Sequence, residues 1–112
     1  MILKVIYKGK YNAGKLWRDE HGYHFEYEDE FISNESTFPI SVNMPKSQKK
    51  FNANRLFANF QSILSEGYNR KLQCKALGID INDDWDLLIN TCVKDTIGAI
   101  TIKKIEDNND EL

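Results

Sequence analysis

The stretch Tyr23-His24-Phe25-Glu26-Tyr27-Glu28 alternates aromatic and polar side chains, and it decides how the first half of the chain folds. Because successive side chains of a strand point to opposite faces of a sheet, the alternation predicts a half-buried strand with its rings inward. An apolar segment, Ile2–Tyr7, predicts an earlier strand, and Lys15–Arg18 predicts the start of another. Turn-forming residues at positions 8–14 separate the two. The order favours an antiparallel meander.

The second half of the chain contains three candidate helices. The first is predicted at Arg55–Glu66, where Gly67 is placed to end it in a left-handed turn. The second is predicted at Asn69–Leu77 and stops at Gly78, and the third begins near the acidic cap Asn82-Asp83-Asp84. The first and third helices have apolar residues at helical spacing: Leu56, Phe57, Phe60, Ile63 and Leu64 in the first, and Trp85, Leu88, Ile89 and Cys92 in the third.

The remaining segments complete an α+β prediction. Asp29–Ser36 is a polar connection, and Lys46–Asn54 is a polar loop. Phe38–Pro45 is apolar and bracketed by prolines, which favours a short edge strand, and Gly98–Ile105 is predicted as a closing strand. We therefore expect one domain over residues 1–105, an antiparallel sheet (meander plus C-terminal strand) with about three helices packed on one side. Residues 106–112 are predicted to form a mobile acidic tail.

Composition narrows the class of protein. The 112 residues carry a formal net charge of −2, and the apolar runs are too short to span a bilayer. The N-terminus lacks the features of a signal peptide, so a cytoplasmic location without a membrane partner is expected. Cys74 and Cys92 each fall in a candidate helix, and a reduced, buried pair is favoured.

Charge is distributed unevenly along the chain. Residues 19–35 are acidic and contain no lysine or arginine, whereas residues 46–75 are basic apart from Glu66. Two solvated faces are the plain interpretation. The functional alternative is electrostatic steering toward a charged partner. Direct nucleic-acid binding is not expected, because the basic stretch lacks a recognised binding motif.

Three motifs that resemble catalytic or ligand sites fail on their chemistry. Gly9–Lys15 matches Gly-x-x-x-x-Gly-Lys, but Leu16 stands where a phosphate loop needs a hydroxyl, so a hairpin turn is favoured. His21 and His24 are predicted to be surface residues, not metal ligands or catalytic groups. Ser65-Glu66 has no third group to orient it as a nucleophile and base. No catalytic residue, metal or cofactor is expected.

Several segments, in order, resemble the N-terminal subdomain of HipA-type kinase toxins. The segment ending in Leu64-Ser65-Glu66-Gly67 is similar to the family's Leu-Pro-Glu-Gly motif, with Ser65 where that family usually has proline. The similarity covers roughly Leu3 to Ile105. Its other parts are Tyr7-Lys8-Gly9, Ala13-Gly14-Lys15-Leu16, Phe25-Glu26-Tyr27, Pro39 to Pro45 and Gly98-Ala99-Ile100.

The resemblance implies a protein without catalytic activity, since the kinase core is absent from this sequence. In some operons the subdomain is a separate protein, HipS, made beside a shortened serine/threonine kinase, HipT, and the chain resembles HipS. A HipT-type kinase is then the implied partner, with the DNA-binding HipB in the same complex. The implied contact residues surround Glu-Gly: Ser65, Glu66, Gly67, Tyr68, Arg70 and Lys71.

Position 68 and two tryptophans are the aromatic candidates for this contact. Tyr68 stands where the split proteins commonly carry tryptophan, and Trp17 and Trp85 are the next candidates. Two alternatives to an inhibitor stay open. One is an accessory subunit that stabilises the kinase without inhibiting it, and the other is a small enzyme that uses the acidic residues 19–35.

Overall fold

The computed structural model describes residues 2–62, 64, 67–91, 96–97 and 100–104. Six strands form one sheet: β1 (Ile2–Tyr7), β2 (Tyr11–Asp19), β3 (Gly22–Tyr27), β4 (Lys50–Ala53), β5 (Thr96–Ile97) and β6 (Ile100–Lys104). Within these described residues, four helices accompany the sheet: α1 (Asp29–Ser33), α2 (Ala58–Gln61), α3 (Gly67–Leu77) and α4 (Asp84–Thr91). The α+β prediction is confirmed, with four helices where three were expected. The predicted tail, residues 106–112, lies outside the described residues.

The sheet is antiparallel throughout, in the order β4-β3-β2-β1-β6-β5. Strands β1, β2 and β3 form the predicted meander. The C-terminal strand β6 closes on the free side of β1, where Val5 pairs with Ile102. The hairpin between β1 and β2 turns at Lys8 and Gly9, both with positive φ (54° and 67°). This confirms that Gly9 serves a turn.

The two faces of the sheet differ in character, as the alternation predicted. Aligned rows of the register place one set of side chains on the inner face, where they are buried: Leu3, Val5, Tyr7, Leu16, Phe25, Tyr27, Phe51 and Ile102. All four helices bury residues in the same core, through Phe31, Phe60, Cys74 and Leu88 among others. The helices therefore cover the inner face, and the outer face carries Trp17, His24 and several lysines.

The first predicted helix is much shorter than its apolar stripe. Helix α2 covers only Ala58–Gln61, because Phe57 before it is extended (φ −59°, ψ 144°). Leu56, Phe60 and Leu64 are nevertheless buried, as predicted, while Phe57 is partly buried and Ile63 lies outside the described residues. The prediction that Gly67 ends a helix is wrong, since α3 begins there. Glycine is tolerated at both ends of a helix. Gly67 therefore marked a helix boundary but did not show whether a helix ends or begins there.

The segment between α1 and β4 reverses two predictions. Residues 38–45 form turns, not an edge strand, because Pro39 and Pro45 supply no N–H for a ladder. The Tyr27 hydroxyl holds this segment instead: it donates to the Met44 carbonyl at 2.5 Å and accepts from the Ile40 N–H at 3.1 Å. The edge strand is β4, within the predicted loop, where Phe51 pairs with Phe25.

Two further predictions about local structure have clear outcomes. The polar connection at 29–36 contains α1, which Phe31 anchors by stacking on Tyr27 with ring centroids 5.5 Å apart. The acidic cap of the last helix is confirmed, because the Asp83 carboxylate accepts from the Asp86 N–H at 3.0 Å. Cys74 is buried as a free thiol, and Cys92 lies outside the described residues.

Candidate partner-binding site

The predicted contact segment lies at the start of α3. The backbone of Gly67 and Tyr68 forms the first turn of that helix, while Ser65, Glu66 and the Tyr68 side chain lie outside what the structure describes. Leu72, one helical turn after position 68, is 48% exposed. Positions four residues apart share a helix face, so this face combines an aromatic position with an exposed aliphatic side chain.

The two predicted cations of the segment have different surroundings. The Arg70 Nε donates to the Ile81 carbonyl at 2.8 Å, and its Nη2 donates to the Asp84 carboxylate at 2.6 Å. Its side chain is 19% exposed. Lys71, by contrast, is exposed. Arg70 therefore braces the first turn of α3 against the start of α4, and Lys71 is the cation of this pair that is open to a partner.

A polar cleft of about 660 Å³ borders this brace. Its lining combines the end of β2 and β3 with α2 and the loop before α4: Arg18, Tyr23, Arg55, Gln61, Asp80 and Asp84 among others. The Arg18 guanidinium lies 3.7 Å from the Asp83 carboxylate and 5.8 Å from the ring centroid of Trp85. Asp80 accepts from the Asn82 N–H at 2.9 Å. The carboxylates of Asp80, Asp83 and Asp84 are thus all engaged within the chain.

The two tryptophans named as further contacts occupy different environments. Trp85 is 5% exposed and packs edge-on against Tyr23, with centroids 5.9 Å apart, so it belongs to the core. Trp17 lies on the outer face of the sheet and stacks on His24 at 5.3 Å with an interplanar angle of 27°. Of the two, only Trp17 has a position suited to contact with a partner.

His24 joins three strands on the outer face. Its Nε2 lies 2.7 Å from Asp19 Oδ1, and its Nδ1 lies 2.5 Å from Asn52 Oδ1. The hydrogen bonds to Asn52 and Asp19 raise the pKa of His24 above its usual 6.5. The bond from His24 and a second from the His21 N–H lower the pKa of Asp19. Sequence reasoning missed this group because Asn52 fell in a predicted loop. The spacing of Asp19 and His24 across a tight hairpin was the available signal.

The comparisons with known proteins identify the family. A model of the HipA N-terminal domain family matches residues 3–103 of the chain. The chain belongs to the HipA N-terminal domain family. It is similar to the solved N-terminal domain of HipA toxin, with a TM-score of 0.68 and 24% identity over 96% of this chain and 94% of that one. Because the sequence identity is 24%, the structural likeness establishes the fold alone.

Two curated relatives differ in the share of their length that aligns with this chain. An uncharacterized protein of Haemophilus influenzae is 29% identical over 101 residues, and the match covers 90% of each chain. The protein of Sinorhizobium fredii named "Putative kinase Y4mE" is 30% identical over 88 residues. That match covers 78% of this chain and 21% of the Y4mE protein. The domain therefore occurs both in a protein of similar extent and as about a fifth of a longer one.

The acidic residues 19–35 of this HipA N-terminal domain are dispersed. Asp19 binds His24 at one end of β2, while Asp29 lies in α1 and binds Lys49 Nζ at 2.8 Å. That contact is the main cause that raises the pKa of Lys49 above its ordinary value. Glu28 and Glu30 line a separate open cleft of about 490 Å³. Within the described residues, no group of three or more histidine, cysteine or acidic side chains has metal-binding geometry.

The phosphate-loop look-alike has a structural explanation in this fold. Gly9 serves the hairpin turn, and Gly14 lies in β2 directly opposite Tyr27. A Cβ at Gly14 would collide with the Glu26 carbonyl and lie 2.9 Å from the Phe25 ring. Both glycines are thus required by the backbone of the sheet. No helix among the described residues is long and apolar enough to cross a membrane.

Proposed function

We propose that this chain is a non-catalytic, antitoxin-like regulator that binds a HipT-type serine/threonine kinase and restrains it. One observation carries the proposal: the HipA N-terminal domain match takes in residues 3–103, and 78% of the chain aligns with 21% of the relative named "Putative kinase Y4mE". A domain that is joined to a kinase in one protein and separate in another retains a surface that suits the kinase. The proposed complex is cytoplasmic and includes a HipB-type DNA-binding protein.

The start of α3 is the proposed contact with the kinase. Ser65 and Glu66 precede α3 in the sequence, Gly67 and Tyr68 are its first two residues, and Lys71 is exposed just after them. A tyrosine can fill a pocket in a partner while its hydroxyl keeps a polar contact. Kinase active sites carry metal-binding carboxylates, which a nearby lysine can meet. Arg70 supports the segment from within the chain through Asp84.

The ion pairing of the acidic side chains favours an inhibitory role over a catalytic one. Among the acidic residues 19–35, Asp19 is paired with His24, whereas Glu26 and Asp29 are paired with Lys49. A general acid or base needs a carboxyl group that is free to exchange its proton with substrate. The alternative function is an accessory subunit that stabilises the kinase without inhibiting it. Kinase activity, measured with and without this chain, separates the two.

The experiment that tests the contact is Tyr68→Ala, followed by calorimetric titration into a purified HipT-type kinase. We expect affinity to fall by at least about 2 kcal/mol, the loss typical of an interface hot spot, with folding largely intact. Phe38→Ala is the matched control, since Phe38 is an aromatic residue that is 67% exposed in the loop before β4. Equal affinity of the Tyr68 variant and the parent would move the contact elsewhere, with Trp17 as the next residue to test.

A further inference from the structure

A row of lysines crosses the outer face of the sheet. The register pairs Lys4 with Lys103 on one side and with Lys15 on the other. Lys15 pairs in turn with Glu26, which is followed by Lys50 on the edge strand. Neighbouring strands lie about 4.8 Å apart, so the backbones of Lys103, Lys4 and Lys15 span roughly 10 Å and place three positively charged side chains side by side. We call these three residues the lysine row.

The lysine row is not neutralised within the described part of the chain. Among the described residues, ion pairs with acidic side chains involve Arg18, His24, Lys49 and Arg70, but none of the three lysines. Like charges directly opposite each other destabilise a sheet. The row therefore carries positive charge that an external anionic group could neutralise. Binding of such a group would relieve the repulsion between the lysines and stabilise the sheet.

Apolar side chains border the lysine row on both sides. Ile2 and Trp17 are cross-strand partners in the row above it, and Ile2 is 43% exposed. Ile6 lies on the other side, paired with Asn12 and Thr101. A shallow cleft of about 220 Å³ runs along this face, lined by Ile2, Lys15, Trp17 and Glu26 among others. An exposed aromatic and aliphatic patch beside a charged row is the composition of a protein interface.

We propose that the lysine row and its apolar border are a docking surface for an acidic peptide segment of a partner protein. The carboxylates of the segment meet Lys4, Lys15 and Lys103, and its apolar residues rest on Ile2 and Trp17. The helices cover the opposite face of the sheet, so this surface is separate from the start of α3. The chain can then hold two partners, or two parts of one partner, on its two sides.

Nucleic acid fits this surface less well than a peptide does. The exposed side chain of Ile2, beside Trp17, offers apolar contact to the side chains of a peptide, which a phosphate backbone lacks. Base stacking requires a free aromatic face. One face of Trp17 is already stacked on His24.

The test uses the full chain and a fluorescein-labelled ten-residue peptide of alternating glutamate and leucine, with anisotropy as the readout. The triple variant Lys4→Gln, Lys15→Gln and Lys103→Gln should bind the probe at least about tenfold more weakly, since exposed ion pairs each contribute a few-fold. The control triple is Lys8→Gln, Lys10→Gln and Lys75→Gln, which changes the net charge equally at exposed lysines outside both the row and the proposed kinase contact. It should stay within about twofold of the parent. Added salt should weaken binding of the unaltered chain.

Several outcomes would overturn the proposal. Equal losses of affinity in the two triple variants would show that binding depends only on net charge. Binding that does not change with salt would show that the lysines do not contribute to it. Tighter binding of a ten-nucleotide oligothymidine than of the peptide would make the surface a nucleic-acid site. The last arm neutralises Glu106, Asp107, Asp110 and Glu111 as amides. If that variant binds the probe about tenfold more tightly, the chain's own acidic residues occupy the row instead of a partner.

Discussion

At the scale of single residues, Phe60 is the side chain on which the helical half of the core depends. It is 1% exposed, and its ring lies 6.0 Å from that of Phe25 on the sheet and 6.3 Å from that of Phe57. Phe60→Ala should therefore lower the free energy of unfolding by about 3–5 kcal/mol, through lost burial and the cavity left behind. Urea unfolding of the variant measures this directly. An unchanged unfolding midpoint would show that the residue is exposed.

Arg70 provides a second test at this scale. Because its guanidinium donates to Ile81 and Asp84 across two elements, Arg70→Gln should cost about 1–2 kcal/mol of stability. Lys71→Gln, at the exposed neighbouring position, should stay within about 0.5 kcal/mol of the parent. Thermal unfolding compares the two variants. Equal shifts would mean that the brace between α3 and α4 adds nothing, and Arg70 would return to the list of residues available to a partner.

At the scale of elements, side-chain patterns predicted burial better than they predicted boundaries. The alternation in Tyr23–Tyr27 identified β3 and its inner face, and the stripe of Leu56, Phe60 and Leu64 identified core residues correctly. The same stripe suggested one long helix, yet spacing alone does not report the extended residue at Phe57 that shortens α2. The apolar run at 38–45 predicted an edge strand, but the Tyr27 hydroxyl holds this segment in turns through the Met44 carbonyl and the Ile40 N–H. That contact is tertiary, so a local pattern could not supply it.

The link between three strands at His24 makes stability depend on pH. The pKa of His24 is raised in the fold, so the protonated ring stabilises the protein fully below about 6.5, the value for an unfolded histidine. This stabilisation is lost as pH rises through the folded pKa. The urea midpoint of the parent should therefore fall between pH 6 and pH 8.5, and His24→Gln should flatten that fall.

His21→Gln is the control for this measurement, since His21 lies exposed in the turn between β2 and β3. It should keep most of the pH dependence. A His24 variant that is as sensitive to pH as the parent would place the titrating group elsewhere. The lowered pKa of Asp19 acts in a different window, because its stabilisation is lost only as pH falls through the folded value, below the usual 3.8.

At the scale of the whole molecule, the fold could be predicted more fully than the site. The order of strands and helices, together with motifs spread over roughly residues 3–105, indicated the HipA N-terminal domain that residues 3–103 match. The cleft beside Arg70 could not be predicted, because it combines Arg18 and Tyr23 with loop residues sixty positions later. The lysine row also depends on register, since Lys4, Lys15 and Lys103 are far apart in sequence.

The two sides of the domain carry two separate proposed binding surfaces. The helical side carries the proposed kinase contact at the start of α3, and the outer face of the sheet carries the lysine row. A partner bound on one side need not cover the other. On the helical side, the proposed regulator contacts its kinase.

Phosphotransfer by a purified HipT-type kinase, assayed while the chain is titrated in, tests the proposed restraint of the kinase. We expect kinase activity to fall in proportion to the amount of chain added, until about one equivalent is present. We also expect Tyr68→Ala to shift the titration to at least about thirtyfold higher concentration, the equivalent of about 2 kcal/mol. Kinase activity that stays constant through an excess of folded chain, with no binding detected by calorimetry, would contradict the proposed restraint.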